Sequence, residues 1–281
     1  MKKILVTGAT GQLGSELSVL APSYPEYEWV FADRTQITLD NLEILQSQLE
    51  AIRPDIIFNC GAYTAVDRAE SEKDLAFKVN YLAVESIAKY AKENNVKLIH
   101  VSTDYVFDGS SSIALNEEAQ TNPINVYGES KLAGEIACLK ENPESVIIRT
   151  SWVYSKYGNN FVKTMQRLMQ ERDSINVVND QVGSPTYAAD LAQAMIDIIE
   201  SSNWVPGIYN YSNEGEISWY EFALRIKEFG GYNCKVGGIP SLSYPTPAKR
   251  PSYSLLNKEK IKESYNVNVP HYKESLKKMF A

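Results

Sequence analysis

The chain has 281 residues, of which 44% are hydrophobic and 22% charged, and its 28 basic and 35 acidic side chains leave a net charge of −7. That composition excludes a disordered chain and allows one large domain, or a large one with a small appendage. With no basic stripe, it also argues against a general nucleic-acid binder. Cys60, Cys138 and Cys234 are far apart and form no Cys-x-x-Cys pair. Neither a disulfide framework nor a structural zinc site is expected, and a reducing compartment fits. Met1-Lys2-Lys3 begins like an export signal, but the apolar run behind it is cut short at Thr7 and Gly8. No stretch approaches the ~20 apolar residues of a membrane span, so a cytoplasmic protein without membrane contact is expected.

Short apolar runs alternate with longer amphipathic segments through the first half. Residues 4–6, 29–32, 55–59, 97–101 and 146–149 read as strands buried on both faces. Leu42, Leu45, Leu49 and Ile52 recur at helical spacing, with Asp40 as N-cap and Pro54 as stop. Val84, Ile87, Ala88 and Ala91 repeat the pattern ahead of Asn94-Asn95. Repeated βα units imply an α/β fold built on a doubly wound, Rossmann-type parallel sheet with right-handed crossovers. Beyond residue 150 the regularity weakens. Residues 161–169, 191–199 and 219–229 read as helices, 175–178 and 207–211 as strands, 240–251 as an irregular proline-rich stretch, and 272–280 as a last amphipathic helix.

Gly8, Gly11 and Gly14 stand between the first strand and the first helix. Glycines there allow a tight turn, close approach of backbone to a pyrophosphate and packing of helix on strand, while the helix N-terminus offers free N–H groups to the phosphates. Asp33 ends the second strand, where a carboxylate would bond the adenosine ribose hydroxyls. Arg34 beside it can pair with a ribose 2′-phosphate, which leaves NADPH and NADH both open. Asn59-Cys60-Gly61-Ala62-Tyr63-Thr64 supplies small residues where a chain runs close beneath a dinucleotide. Residues 1–150 are accordingly expected to bind the dinucleotide. Residues 151–281 are expected to form mainly a substrate-binding region, packed on the first part rather than carried on a flexible linker, with the substrate cleft between the two.

Tyr127-Gly128-Glu129-Ser130-Lys131 places a phenol and an ammonium at i and i+4, on one face of a helix continued by Leu132, Ile136 and Leu139. A free tyrosine is a weak acid, with a pKa of about 10. A nearby ammonium, helped by the charge of an oxidised nicotinamide, is expected to bring it toward the working pH. Thr103 ends the fourth strand, on the edge where open α/β sheets bind ligands, and its hydroxyl can hold charge developing on a carbonyl oxygen. Of the two histidines, His100 lies inside a predicted strand and reads as a packed side chain.

These segments resemble the extended short-chain dehydrogenase/reductase superfamily, and within it the dTDP-4-dehydrorhamnose reductase family. The resemblance is carried by Gly8-Ala9-Thr10-Gly11-Gln12-Leu13-Gly14, Tyr63-Thr64-Ala65-Val66-Asp67, Ser102-Thr103-Asp104-Tyr105-Val106-Phe107 and Asn125-Val126-Tyr127-Gly128-Glu129-Ser130-Lys131. Further on it rests on Arg149-Thr150-Ser151-Trp152-Val153-Tyr154, Gly158-Asn159-Asn160-Phe161, Asp180-Gln181-Val182-Gly183-Ser184-Pro185-Thr186 and Arg250-Pro251. It implies reduction of the C4 keto group of dTDP-4-dehydro-L-rhamnose with NADPH or NADH, Tyr127 giving the proton and Thr103 and Lys131 completing the catalytic group. It implies that Gly11, Gln12 and Leu13 meet the pyrophosphate, Asp33 and Leu39 lie near the adenosine, and Ala62, Tyr63 and Thr64 follow the cofactor. Lys131 is expected to bond the nicotinamide ribose. Thr103, Asp104 and Trp152 are expected to face the sugar, and Arg250 the nucleotide diphosphate.

Two contrasts bear on that expectation. Related 4,6-dehydratases carry Asp-Glu after the catalytic Thr, whereas Asp104 is followed here by Tyr105. Some relatives bind magnesium between subunits through glutamates; Glu16 fits one such position, but Ala189 stands where another is expected, so no metal is expected and a homodimer is left open. The rivals are another sugar-nucleotide reductase or epimerase, and a non-catalytic regulatory subunit of the methionine adenosyltransferase type, which would co-purify with a larger chain and turn nothing over.

Overall fold

A computed structural model describes residues 1–280. In chain order its elements are β1 (Lys2–Thr7), α1 (Gln12–Leu20), β2 (Tyr27–Ala32), α2 (Leu42–Ile52), β3 (Ile56–Asn59), the short α3 (Val66–Ala69) and α4 (Lys73–Phe77), α5 (Ala83–Glu93), β4 (Lys97–Thr103), α6 (Val126–Glu141) and β5 (Val146–Thr150). Then follow β6 (Val153–Tyr154), α7 (Phe161–Glu171), β7 (Ser174–Val178), β8 (Val182–Gly183), β9 (Thr186–Tyr187), α8 (Ala188–Glu200), β10 (Gly207–Tyr211), β11 (Ile217–Ser218), α9 (Trp219–Gly230), β12 (Lys235–Ile239), α10 (Glu259–Tyr265) and α11 (Tyr272–Phe280).

Six of the strands form one sheet in the order β2-β1-β3-β4-β5-β10, every pair parallel. Their aliphatic side chains alternate between two buried layers, because successive residues of a strand point to opposite faces. Ile4, Val6, Ile56, Phe58 and Ile99 pack with Leu13 and Leu17 of α1 and with Leu191, Met195 and Ile198 of α8. Leu5, Ile57, Leu98 and Ile147 pack on the other face with Leu45 and Leu49 of α2 and Val84, Ile87 and Ala91 of α5. The chain leaves β1 toward β2 on one side, then crosses to β3 on the other. That reversal opens a crevice at the C-terminal ends of β1 and β3, where such sheets bind ligands.

Residues 151–280 do two jobs. β10 joins the central sheet beside β5, and α8 covers one of its faces against α1. Ile261 and Tyr265 of α10 also pack on that face, while α7, α9 and α11 build a separate core of Val162, Met165, Ile175, Phe222, Ile226 and Leu276, with the parallel pair β7–β12 at its side. Among the described residues no helix is long and apolar enough to cross a membrane.

The helix expected after Asp40 begins one residue later. Asn41 is its N-cap, in extended backbone, accepting the Glu43 N–H at 3.2 Å. Arg53 closes the helix in the left-handed conformation, and Pro54 follows.

Candidate active site

At the crevice the turn after β1 comes close to the loop after β3. Gly8 has φ +66°, and a Cβ there would stand 2.7 Å from the Gly61 Cα. A Cβ on Gly14 would stand 2.5 Å from the Gly8 carbonyl oxygen, so only glycine lets α1 start this near the turn. Gly11 is the N-cap of α1 and has no side chain to offer the helix. The first N–H groups of α1 therefore remain for an anion, with the helix dipole behind them. Gln12 reaches the second lobe, donating to the Val153 carbonyl at 3.3 Å and accepting from Asn160 at 3.0 Å. Leu13 turns its side chain into the core, leaving its backbone to the site.

At the end of β2, Asp33 accepts the backbone N–H of Thr35 at 2.8 Å and its hydroxyl at 2.6 Å, and these bonds hold its carboxyl below the usual range. Leu39 packs over Gly61, where its Cδ1 would lie 2.7 Å from an added Cβ. The loop through Ala62, Tyr63 and Thr64 is fixed by Asn80. Its amide accepts from Tyr63 N–H at 2.8 Å and donates to the Tyr63 carbonyl and to the Ser130 hydroxyl, both at 3.0 Å. Ser130 in turn donates to the Tyr127 carbonyl at 2.8 Å. The loop lining the cofactor crevice is thereby tied to the helix that carries the phenol. Glycine cradle, free helix end and the Asp33 carboxylate at the end of β2 together fit a dinucleotide.

The α6 helix starts at Asn125, whose side chain accepts the Gly128 N–H at 2.8 Å and donates to the Lys249 carbonyl at 2.7 Å. Gly128 passes so close to Tyr105 that a Cβ would stand 2.2 Å from its carbonyl oxygen. This brings Tyr127 beside the end of β4, its ring edge-on to Tyr105 at 5.5 Å. Burial of the Tyr127 hydroxyl pushes its pKa up to about 12; a hydrogen bond with Thr103 opposes the rise and the Asp104 carboxylate adds to it. The ammonium on the same helix face does not reverse this. Lys131 is buried, and its Nζ donates to the Val101 carbonyl at 2.7 Å and lies 3.3 Å from His100 Nε2. Burial brings the lysine down to about 8, against a smaller opposing pull from Glu135.

Thr103 and Asp104 are both buried, with the Thr103 hydroxyl 3.1 Å from Asp104 Oδ1. Asp104 Oδ2 is buried without a hydrogen-bond partner, and burial raises its carboxyl to about 6 against the opposing pull of the Ser254 and Thr103 hydroxyls. An unpaired buried acceptor of this kind suits a ligand hydroxyl. Trp152 has φ +47° and stacks on Trp219 with ring centroids 3.6 Å apart. Arg250 lies on the Tyr105 side of this group. It grips Asp67 through both terminal nitrogens, at 3.1 and 2.8 Å, and also bonds Thr246 and the Ala248 carbonyl. Glu16 accepts the Ser155 hydroxyl at 2.6 Å.

Several contributors had no sequence signal of their own. Thr7 read only as the end of the first apolar run, Asn59 only as the start of the small-residue run beneath the dinucleotide, and His100 as a packed side chain. Asn80 lies in a π-helical turn, 78–82, just ahead of the helix read from Val84, Ile87, Ala88 and Ala91. Asn125 was visible as an N-cap residue type two positions before Tyr127. Glu135 pairs with Arg149 at 2.7 Å, both nearly fully buried.

A parallel sheet with a glycine turn at its crossover point, and a strand-end threonine beside a Tyr-x-x-x-Lys helix, define a nicotinamide-dependent reductase of the extended short-chain dehydrogenase/reductase class. Residues 1–281 match the model of the RmlD substrate binding domain family, and the chain belongs to that family. It is 42% identical over 286 residues to a dTDP-4-dehydrorhamnose reductase of Sinorhizobium fredii, covering 99% of this chain and 96% of that one. It is 39% identical over 291 residues to the Aggregatibacter actinomycetemcomitans protein of the same name, covering 100% and 99%. Its fold matches a Bacillus anthracis dTDP-4-dehydrorhamnose reductase solved in complex with NADP, with TM-score 0.94, 40% identity and coverage of 100% and 99%. A Thermus thermophilus UDP-glucose 4-epimerase, at 19% identity and TM-score 0.81, shares the fold.

Proposed function

We infer that the protein reduces the C4 keto group of dTDP-4-dehydro-L-rhamnose to give dTDP-L-rhamnose, with NADPH as the preferred reductant, in the cytoplasm. The observation carrying this reading is the meeting of Tyr127, Thr103 and Asp104 at the end of β4, in a chain that matches reductases of that name over its whole length.

Bound NADPH supplies the hydride that reaches C4. Gly8, Gly11 and Gly14 let the backbone close on the pyrophosphate, with the N–H groups of Gln12 and Leu13 as donors. Asp33 and Leu39 hold the adenosine end, and Ala62, Tyr63 and Thr64 follow the cofactor across the crevice. The Thr103 hydroxyl steadies the sugar carbonyl oxygen. Tyr127 gives that oxygen its proton as the carbon gains hydride, which balances the reduction. Lys131 bonds the nicotinamide ribose and provides the charge that favours the phenolate left behind. Asp104 takes a sugar hydroxyl on its free Oδ2, Trp152 forms the wall of the sugar site, and Arg250 meets the diphosphate. The nucleotide-binding role falls to residues 1–150, and the sugar-nucleotide role mainly to 151–281 outside β10 and α8.

The test is loss of reduced-nicotinamide absorbance with the dTDP-4-keto sugar, run with NADPH and NADH side by side. Turnover faster with NADPH is expected. An unchanged absorbance with either cofactor sinks the reading.

A further inference from the structure

On the sheet face that carries α5 and α6, β1, β3 and β4 present Leu5, Ile57 and Leu98 to the core. Two residues on, the same face holds Thr7, Asn59 and His100. Thr7 is in register with Asn59, and Asn59 with His100, so three polar side chains stand abreast across three strands. All three are buried, His100 with 0% exposure. Replacing aliphatic side chains by polar ones in such a layer is costly unless each group is bonded. Here they bond in series. Gly61 N–H donates to Thr7 Oγ1 at 3.0 Å, the Thr7 hydroxyl donates to Asn59 Oδ1 at 2.7 Å, and Asn59 Nδ2 donates to His100 Nδ1 at 3.0 Å. The series ends where His100 Nε2 faces Lys131 Nζ at 3.3 Å.

The direction of this chain is set by the Asn59 amide, whose Nδ2 can only donate while its Oδ1 can only accept. Each later proton then points the same way, and His100 Nδ1 is left accepting. A neutral imidazole with Nδ1 accepting carries its proton on Nε2. That N–H finds a lone pair on Lys131 only when the lysine is an amine; against an ammonium, donor meets donor. We propose that His100 is a positioning residue for the reductase chemistry, holding the Lys131 amine through its Nε2–H and so favouring passage of the lysine proton toward Tyr127. The proposal rests on the roles given above to Tyr127 and Lys131. In the step, the proton leaves Nζ and restores the phenol after Tyr127 has protonated the sugar oxygen. Nζ regains a proton from solvent, and His100 stays neutral throughout.

The surroundings agree. Burial and the neighbouring lysine hold His100 well below its ordinary pKa. The other titratable or charged groups facing Lys131 are Glu135 and Cys138 on α6 and Cys60 after β3, while Arg149 of β5 is engaged by Glu135. The 78–82 turn packed against α6 brings the uncharged Asn80.

Nitrogen NMR of the NADPH-bound protein reads the imidazole directly, since the only other histidine is His271. The expected result is a neutral His100 protonated on Nε2 from about pH 6 to about pH 9; a proton on Nδ1 overturns the proposal. Two variants test the consequence. His100→Gln can turn an amide oxygen to the ammonium. Asn59→Asp accepts a proton from Nδ1 and leaves Nε2 as an acceptor, with the histidine in place. Both are expected to move the alkaline limb of the kcat profile up by roughly 0.5 pH unit or more, with the KM for NADPH unchanged. A limb that stays put in a folded Asn59→Asp variant also overturns the proposal. An inactive wild type would instead count against the reductase reading, and the tautomer measurement, which needs no turnover, would still decide the role of His100.

Discussion

At the scale of single residues, burial works against the phenol proposed as the proton donor. Tyr127 is lifted to about 12, and the one protein group pulling it down is Thr103. The phenol is therefore well protonated at neutral pH, which suits a proton donor in reduction and makes its hydroxyl indispensable. Tyr127→Phe is expected to lower kcat by roughly 10²-fold or more with NADPH affinity kept, measured by fluorescence titration and steady-state rates. Asp104 offers a second check. Its folded carboxyl sits near 6, above the unfolded value of 3.8. The folded chain thus binds that proton more tightly, and stability present below about pH 4 is lost as pH rises through 6. Asp104→Asn should remove this loss, raising stability at pH 7 by about 3 kcal/mol while slowing turnover. Urea melts at about pH 4 and about pH 7 should show the gain only at the higher pH. The Tyr-x-x-x-Lys spacing disclosed the helix face that both residues share. It could not disclose that Nζ turns toward Val101 and His100, because spacing fixes where a side chain leaves the helix and not where a long one ends.

The element that matters most is α6, and its sequence hides its burial. Ser130, Lys131, Glu135 and Cys138 are all buried, so polar side chains occupy much of its inward surface and the apolar stripe that reveals a helix is broken up. What locates it is its entry. Asn125 caps the first turn and also holds the Lys249 carbonyl, tying the phenol's helix to the chain segment that carries Arg250. Asn125→Ala is expected to cost about 1 kcal/mol from the cap alone, and more because the Lys249 tie is lost. The readout is a lower Tm together with a higher KM for the nucleotide sugar; a lower Tm with unchanged kinetics would mean that the cap serves stability only. The elements with an unbroken apolar period were legible to within a few residues: α8, α9 and α11 fall where the repeats place them. The miss at α2 is instructive. Asp40 and Asn41 are both good caps, and only the extended backbone of Asn41 selects between them.

Across the whole molecule, sequence order and spatial order part company after β5. The short-range pattern finds β10 as a strand but carries no sign that it lies beside β5 in the main sheet, because strand pairing is decided by what else covers the edge. The same holds for the long-range ties that close the site. Gln12 reaches Val153 and Asn160 in the second lobe, and Asp67 holds Arg250 from a distance of 183 residues along the chain. The Asp67–Arg250 pair gives the arginine its electrostatic and geometric setting. A guanidinium has five N–H donors in a fixed fork, and two of its nitrogens are already committed to Asp67, Thr246 and Ala248. A diphosphate must therefore share the fork or displace the carboxylate, and its charge of more than one unit favours it over a partly exposed Asp67. Arg250→Met keeps the stem and removes the fork. The expected outcome is a KM for the nucleotide sugar raised about tenfold or more, the cost of one charge-assisted contact. NADPH affinity should be unchanged, because the proposed pyrophosphate site is the N-terminus of α1 and does not include Arg250. A variant that binds the sugar nucleotide as tightly as wild type would place the diphosphate elsewhere and leave Arg250 as a structural tie between the lobes.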